Sequence, residues 1–234
     1  MPNMESNRPK KPKIGITIGD PAGIGPEVVL RALCKPEIIK CAEFRIYGSN
    51  ALLQFTAEKL GLTSYWNTVF VNSPRAKEDL YASLAVFDFG YGEDLIGLAP
   101  KPSKTGGETS LEYLETATKD AMRPIDDPRH IDALITAPIS KESWSLAGSK
   151  WRGHTEFLAK RSKSKRYAMM FSGKKLNVVL ASTHIPLNEL KDYLTIGRIF
   201  DPIDLGNETM KLLGNLKKEN GILVMKYMIY QEVF

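Results

Sequence analysis

The sequence predicts an α/β protein, on three observations. Short runs rich in β-branched and aromatic residues recur along the 234 residues, segments with helical spacing lie between several of them, and the run "LNVVLAS" at 176–182 is apolar nearly throughout. Near-continuous apolar strands suit a sheet covered on both faces.

The strand candidates are, in order, "IGITI" at 14–18, "EFRIYG" at 43–48, "TVFVN" at 68–72, "LAVFDF" at 84–89, "IDALITA" at 131–137, "RYAMMF" at 166–171, "LNVVLAS" and "GILVMKYMIY" at 221–230. A helix is expected over 107–122, where Leu111, Leu114, Ala117, Thr118 and Ala121 share one face. A second is expected to open with Asp201 as N-cap and Pro202 at its first position. It would bury Leu205, Thr209, Leu212 and Leu216 and end at Asn220-Gly221. Residues 91–108 read as the longest loop, a surface connection between two lobes. No internal repeat is visible.

Composition narrows the class. With 43% hydrophobic and 25% charged residues the chain is ordinary globular material. Its net charge of +5 comes from scattered lysines and an N-terminal tail, "NRPKKPK", without an arginine-rich stripe interleaved with aromatics. That argues against nucleic acid as a partner. Cys34 and Cys41 lack both zinc-ligand spacing and a disulfide framework, which fits a reducing cytoplasm. The first dozen residues carry no apolar signal region, and no run is long enough to span a bilayer, so a soluble protein without a membrane partner is expected.

The stretch "GDPAGIGPE", Gly19 to Glu27, joins the first strand candidate to an apolar run beginning at Val28. It matches neither the Walker A pattern nor the three-glycine dinucleotide fingerprint. Pro26 suits the first position of a helix, with Gly25 before it, and Glu27 complements the positive end of the helix dipole. Gly23 and Gly25 would let a ligand approach the backbone, and Asp20 would stand at the carboxyl end of a strand, where open α/β sheets bind ligands. A plain tight turn explains the same residues.

Three other places hold candidate chemistry. "RGHTEF" puts His154 and Thr155 at the start of a helix, where free N–H groups and hydroxyls hold phosphate or carboxylate; the alternative is Thr155 as an N-cap and His154 as an ordinary loop residue. His184 follows "LNVVLAS" and would emerge at that strand's end, with Pro186 stopping the ladder. Lys141, in "APISK", is placed to neutralise an anion or assist a proton transfer, or else to be a solvated surface charge. His130 reads as a surface residue.

"GDPAGIGPE" resembles the N-terminal signature of the 4-hydroxythreonine-4-phosphate dehydrogenase family of vitamin B6 synthesis. It is also similar to the "GDGIGPE" turn of the isocitrate and isopropylmalate dehydrogenases, which share that family's fold. "LITAPISK" at 134–141, "GHTEFLA" at 153–159 and "VVLASTHIPL" at 178–187 resemble further family motifs in the same order and spacing. The resemblance runs from about Lys13 to Gly221. It implies an α/β/α sandwich like that of the isocitrate and isopropylmalate dehydrogenases, and NAD(P)-dependent oxidation and decarboxylation of 4-phosphohydroxy-L-threonine to 3-amino-2-oxopropyl phosphate. It further implies a homodimer, substrate binding by His154 and Thr155, and His184 as the first of three histidines on a divalent metal. Zinc, magnesium, manganese and cobalt, and NAD and NADP, all stay as alternatives. Asp20, Gly23, Gly25 and Lys141 are further cleft candidates.

Past Gly221 the family pattern continues with "GLNPHAGE" and later "YHDQG", each bringing a metal-binding histidine, whereas this chain reads "ILVMKYMIYQEVF". The chain thus divides into a basic tail, 1–12, a family-like region, 13–221, comprising one lobe and part of a second, and an atypical segment, 222–234. On this reading the fold is truncated at its C-terminus, with an uncovered sheet edge and impaired catalysis. The alternatives are a noncatalytic homologue that binds an anionic ligand or a partner chain, or a dehydrogenase of a related phosphorylated, threonate-like acid.

Overall fold

The computed structural model describes residues 11–64, 66–71, 83–173 and 176–212. The basic tail up to residue 10, the strand candidate at 221–230, Leu216, Asn220-Gly221 and the segment 222–234 lie outside the described residues. Two compact units are present, Met1–Ser162 and Lys163–Phe234.

The first unit is built on a five-stranded sheet. Its strands are β1 (Lys13–Thr17), β2 (Glu43–Gly48), β3 (Asn67–Phe70), β4 (Leu84–Asp88) and β5 (Ala133–Thr136), in the order β3-β4-β2-β1-β5. All four pairings are parallel, as connections through helices require. The helices are α1 (Gly25–Leu33), α2 (Pro36–Ile39), α3 (Asn50–Lys59), α4 (Lys104–Ala121), α5 (Lys141–Leu146) and α6 (His154–Arg161). Central strands are buried on both faces, most completely β4, all five of whose residues are inaccessible. Ile46, Val86, Phe87 and Tyr113 sit in the main core with α1 side chains Val29, Leu30 and Leu33. At the margin, β5 leaves Ile135 half exposed, and Ile24 and Val28 are exposed around the start of α1.

A buried carboxylate ties α4 to the sheet. Asp120, with its side chain 1% exposed, accepts hydrogen bonds from the Tyr47 hydroxyl at 3.0 Å, Arg123 Nε at 2.7 Å and Arg129 at 2.9 Å. Burial first, and Asp120 second, push the Tyr47 hydroxyl well above its ordinary pKa. Losing one partner of such a buried pair costs about 3–5 kcal/mol, because the other charge is stranded. The backbone oxygen of Asp120 also accepts from Ile131, which sets the entry to β5.

The second unit has a two-stranded antiparallel sheet of β6 (Met170–Ser172) and β7 (Asn177–Val179), followed by a short 3-10 turn, α7 (Leu190–Tyr193) and α8 (Ile196–Leu212). No helix among the described residues is long and apolar enough to cross a membrane.

Several expectations are corrected. "LNVVLAS" is no doubly covered strand: only 177–179 pair, because β6 offers three partners, and all three residues are half-buried. His184 therefore lies five positions beyond the strand end. The last helix opens at Ile196, so Asp201 does not cap it and Pro202 is internal. The Asp201 and Asp204 carboxylates instead hold Arg166, at 3.4 and 2.8 Å. On that helix Pro202 and Gly206 are the buried residues, and Leu212 is exposed. The 91–108 stretch contains a 3-10 turn at Gly92–Leu95, gives its end to α4, and lies wholly within the first unit. Helix α4 starts at Lys104, ahead of the expected 107, because the Ser103 side chain caps it by accepting from Gly106 N–H at 3.0 Å.

The turn after β1 contains two glycines that the chain itself requires. Gly19 has φ +74°, in the left-handed region, and a side chain there would meet the Pro138 carbonyl. Gly25, at the first position of α1 with Pro26 at the second, would place a Cβ 1.9 Å from the Ile18 carbonyl oxygen. Gly23 is exposed, and its nearest backbone neighbour would be 3.3 Å away. Gly25→Ala is accordingly expected to lower stability by about 1–3 kcal/mol, the cost of forced overpacking. Gly23→Ala should change it by less than about 1 kcal/mol. Urea denaturation midpoints of the two variants check the contrast, and equal midpoints would refute it.

Candidate functional site

Three segments of the first unit converge around Asp20: the turn after β1, the start of α4, and the β5–α5 connection. Asp20 N–H donates to the Pro138 carbonyl at 3.1 Å, and its carbonyl accepts from Gly23 N–H. Its side chain is buried; Oδ2 accepts from Ser143 Oγ at 2.7 Å and Oδ1 from Ala22 N–H at 3.0 Å. Ser143 Oγ also accepts from Ser103 N–H at 3.1 Å. A side chain at Gly106 would stand 2.5 Å from Asp20 Oδ1, so the carboxylate sits directly against the first turn of α4. Asp20 is thus an internal brace, with its donors supplied by the protein.

This brace fixes α5. Ser140 caps the helix by accepting from Ser143 N–H, and Lys141 follows on the exposed side. Trp144, fully buried, donates its indole N–H to Ser110 Oγ on α4 at 2.9 Å. Its ring lies 5.6 Å from the His154 ring, edge to face at 70°.

His154 and Thr155 occupy the first turn of α6, as the sequence suggested. The N-cap is Gly153, so the capping role considered for Thr155 is not the one it takes. Gly153 brings the neighbouring side chains close: a Cβ there would be 3.8 Å from Glu156 Oε2 and 4.0 Å from Lys141 Cε. Lys141, His154 and Thr155 therefore border one helix N-terminus, with Glu156 alongside. Burial lowers the His154 pKa, and its Nε2 is buried without a hydrogen-bond partner among the described residues. Burial thus favours the neutral ring, and one nitrogen faces inward.

The remaining candidates fall elsewhere. Gly25 is closed off by the Ile18 carbonyl and Gly19 by Pro138, so the spaces beside these glycines are filled by the chain's own backbone and form no phosphate cradle. Gly23 is exposed. His184 belongs to the second unit, exposed and at φ 56°. His130 is bound into a turn, with Nδ1 2.8 Å from the Arg123 carbonyl. No group of three or more His, Cys, Asp and Glu side chains able to hold a metal occurs among the described residues. Sequence reasoning did not single out Ser143, Ser110 or Trp144. The one available signal was the small-residue run "GGETS" at 106–110, which permits close approach to a helix start.

A parallel sheet with helices on its connections defines an α/β protein, in which the start of α6 lies beside a lysine and a histidine. The family model for pyridoxal phosphate biosynthetic protein PdxA matches residues 40–225, and the chain belongs to that family. It is 36% identical over 226 residues to a 4-hydroxythreonine-4-phosphate dehydrogenase of Synechococcus sp. (strain JA-3-3Ab), covering 91% of this chain and 57% of the relative. A relative of the same name in Sulfurihydrogenibium sp. is 35% identical, covering 85% of this chain and 58% of the relative. Among solved structures, the 4-hydroxythreonine-4-phosphate dehydrogenase of Klebsiella pneumoniae superposes with a TM-score of 0.70 at 29% identity, covering 89% of this chain and 61% of that one. The chain spans a little over half the length of the curated relatives it matches.

Two outcomes follow for stability. Ser143→Ala removes partners from both Asp20 and Ser103 and should cost about 1–3 kcal/mol; combined with Asp20→Asn the loss should be clearly less than additive. A double-mutant cycle in urea measures this, and simple additivity would refute the brace. For His154, burial favours the neutral ring, so the unfolded chain takes up a proton more readily than the folded one. Stability should therefore fall as pH drops below about 6.5, levelling off below the depressed folded pKa. His154→Asn should remove that part of the pH dependence, read from denaturation midpoints between about pH 8 and pH 5.

Proposed function

We propose that the chain takes part in NAD(P)-dependent oxidation and decarboxylation of 4-phosphohydroxy-L-threonine in vitamin B6 biosynthesis, with the α6 N-terminus receiving an anionic end of the substrate. The observation that supports this best is the grouping of His154, Thr155 and Lys141 at that N-terminus. Relatives named 4-hydroxythreonine-4-phosphate dehydrogenase support the substrate class.

In this reading the free N–H groups of the first turn of α6 and the Thr155 hydroxyl donate to the anion, and Lys141 adds a positive charge. The neutral His154 ring orients a substrate hydroxyl or phosphate oxygen without repelling the positive end of the helix dipole. A nicotinamide cofactor, when bound, would supply the hydride acceptor for this oxidation. His184 would supply one imidazole toward a divalent metal. Among the described residues no group of three or more His, Cys, Asp and Glu side chains stands together to hold a metal. A second reading rests on the same corner: the chain binds the phosphorylated acid there without turning it over.

The test is calorimetric titration of the full chain with 4-phosphohydroxy-L-threonine, alongside a turnover assay with NAD or NADP and a divalent metal. Binding that Lys141→Ala and Thr155→Ala each weaken by about tenfold supports the anion corner, a loss typical of one charge-assisted hydrogen bond. Formation of reduced nicotinamide then distinguishes the dehydrogenase from the binding protein. Absence of binding overturns both readings.

A further inference from the structure

We propose that Trp144 is a positioning residue that sets the orientation of the His154 ring, and that Ser110 on α4 holds Trp144 for this purpose. The importance of His154 to substrate rests on the function proposed above; the positioning itself rests on geometry alone.

Trp144 is 0% exposed and could serve merely as core filling. Two features go further. Its single polar atom is used, since Nε1 donates to Ser110 Oγ at 2.9 Å, while Ser110 Oγ donates onward to the Gly106 carbonyl at 2.7 Å. The indole is thereby fixed in its plane by a hydrogen bond to a helix that is itself locked against Asp20. Its ring also meets His154 edge to face at 5.6 Å and Phe157 in a tilted contact at 6.3 Å, and Trp151 closes on Phe157 from another side at 5.7 Å. These contacts pin α6 through two of its residues one turn apart.

The consequence reaches the imidazole. His154 Nε2 has no hydrogen-bond partner among the described residues, so ring packing is the visible constraint on its orientation at that nitrogen. The indole wall also excludes water from that side, in keeping with the burial that keeps the ring neutral. Rotation of Trp144 would loosen the imidazole and admit solvent to Nε2. A histidine whose ring is held by an aromatic wall keeps a fixed ring plane, as a site that orients an anion or hydroxyl needs.

The experiment reads the histidine directly in the ligand-free full chain. Long-range proton–nitrogen correlation spectra of 15N-labelled protein report tautomer, ring-proton shifts and titration for each of its three histidines, assigned through His130→Gln and His184→Gln. Ser110→Ala keeps the indole but frees its N–H, and Trp144→Phe keeps an aromatic wall without the anchor. Either variant should move the His154 ring-proton resonances and bring its titration midpoint up toward the ordinary histidine value, leaving His130 where it was. Ser110→Thr, which keeps the hydroxyl acceptor, should restore the wild-type spectrum. Unchanged His154 signals in folded Ser110→Ala overturn the proposal, as does an equal movement of His154 and His130, which would indicate general loosening. Because no substrate is present, a failure here is separable from a failure of the binding titration.

Discussion

The first unit depends on one close crossing, where the turn after β1 meets the connection after β5. Gly19 in its left-handed conformation lets the Asp20 N–H reach the Pro138 carbonyl, and the Asp20 carboxylate then receives Ser143. Adjacent parallel strands β1 and β5 both lead out at this end of the sheet, so their following loops must pass one another without a side chain between them. The result is a buried carboxylate held by Ala22 N–H from its own turn and by Ser143 from α5, with the first turn of α4 packed against it. Each donor left unpaired would carry a desolvation cost, which is why the crossing has little freedom to shift.

From that crossing the arrangement of the site follows in sequence. Asp20 fixes Ser143, and Ser143 sits one residue from Trp144 and two from Lys141 on a helix of only six residues. A helix so short has little rigidity of its own. Its direction is imposed by Asp20 and Ser110, and it passes that direction on to α6 through aromatic contact. The motif "GDPAGIGPE" therefore acts on the start of α6 indirectly. Its carboxylate aligns the elements that carry Lys141 and His154, and its glycines make room for the chain's own carbonyls.

Sequence reading recovered what local pattern encodes. β-Branched and aromatic runs located β1 to β5: the central β1, β2 and β4 are buried along most of their length, and the edge strands β3 and β5 are partly exposed. The start of α6 at His154 was legible from "GHTEF". Two readings failed where local rules compete with tertiary contacts. Pro202 suits a first helical position, yet α8 begins six residues earlier and tolerates the proline inside it, while Asp201, which looked like its cap, binds Arg166. "LNVVLAS" has the composition of a central strand, but strand length is set by the partner, and β6 is three residues long. Ser143 and Ser110 were invisible for another reason: a serine's partner 123 or 34 positions away leaves no periodic mark.

The protonation state of His154 links the fold to the proposed chemistry. A cationic imidazole in the first turn of α6 would face the positive end of the helix dipole and repel the Lys141 ammonium. Burial against Trp144 removes that conflict by lowering the pKa, so the positive charge at the corner is left to Lys141 and the helix N-terminus. His154 is then free to act as a directional hydrogen-bonding group, whose geometry depends on the ring plane and hardly on charge. Such a division of labour separates attraction from orientation. It also explains why a lysine exposed to solvent and a histidine turned away from it belong at the same helix start.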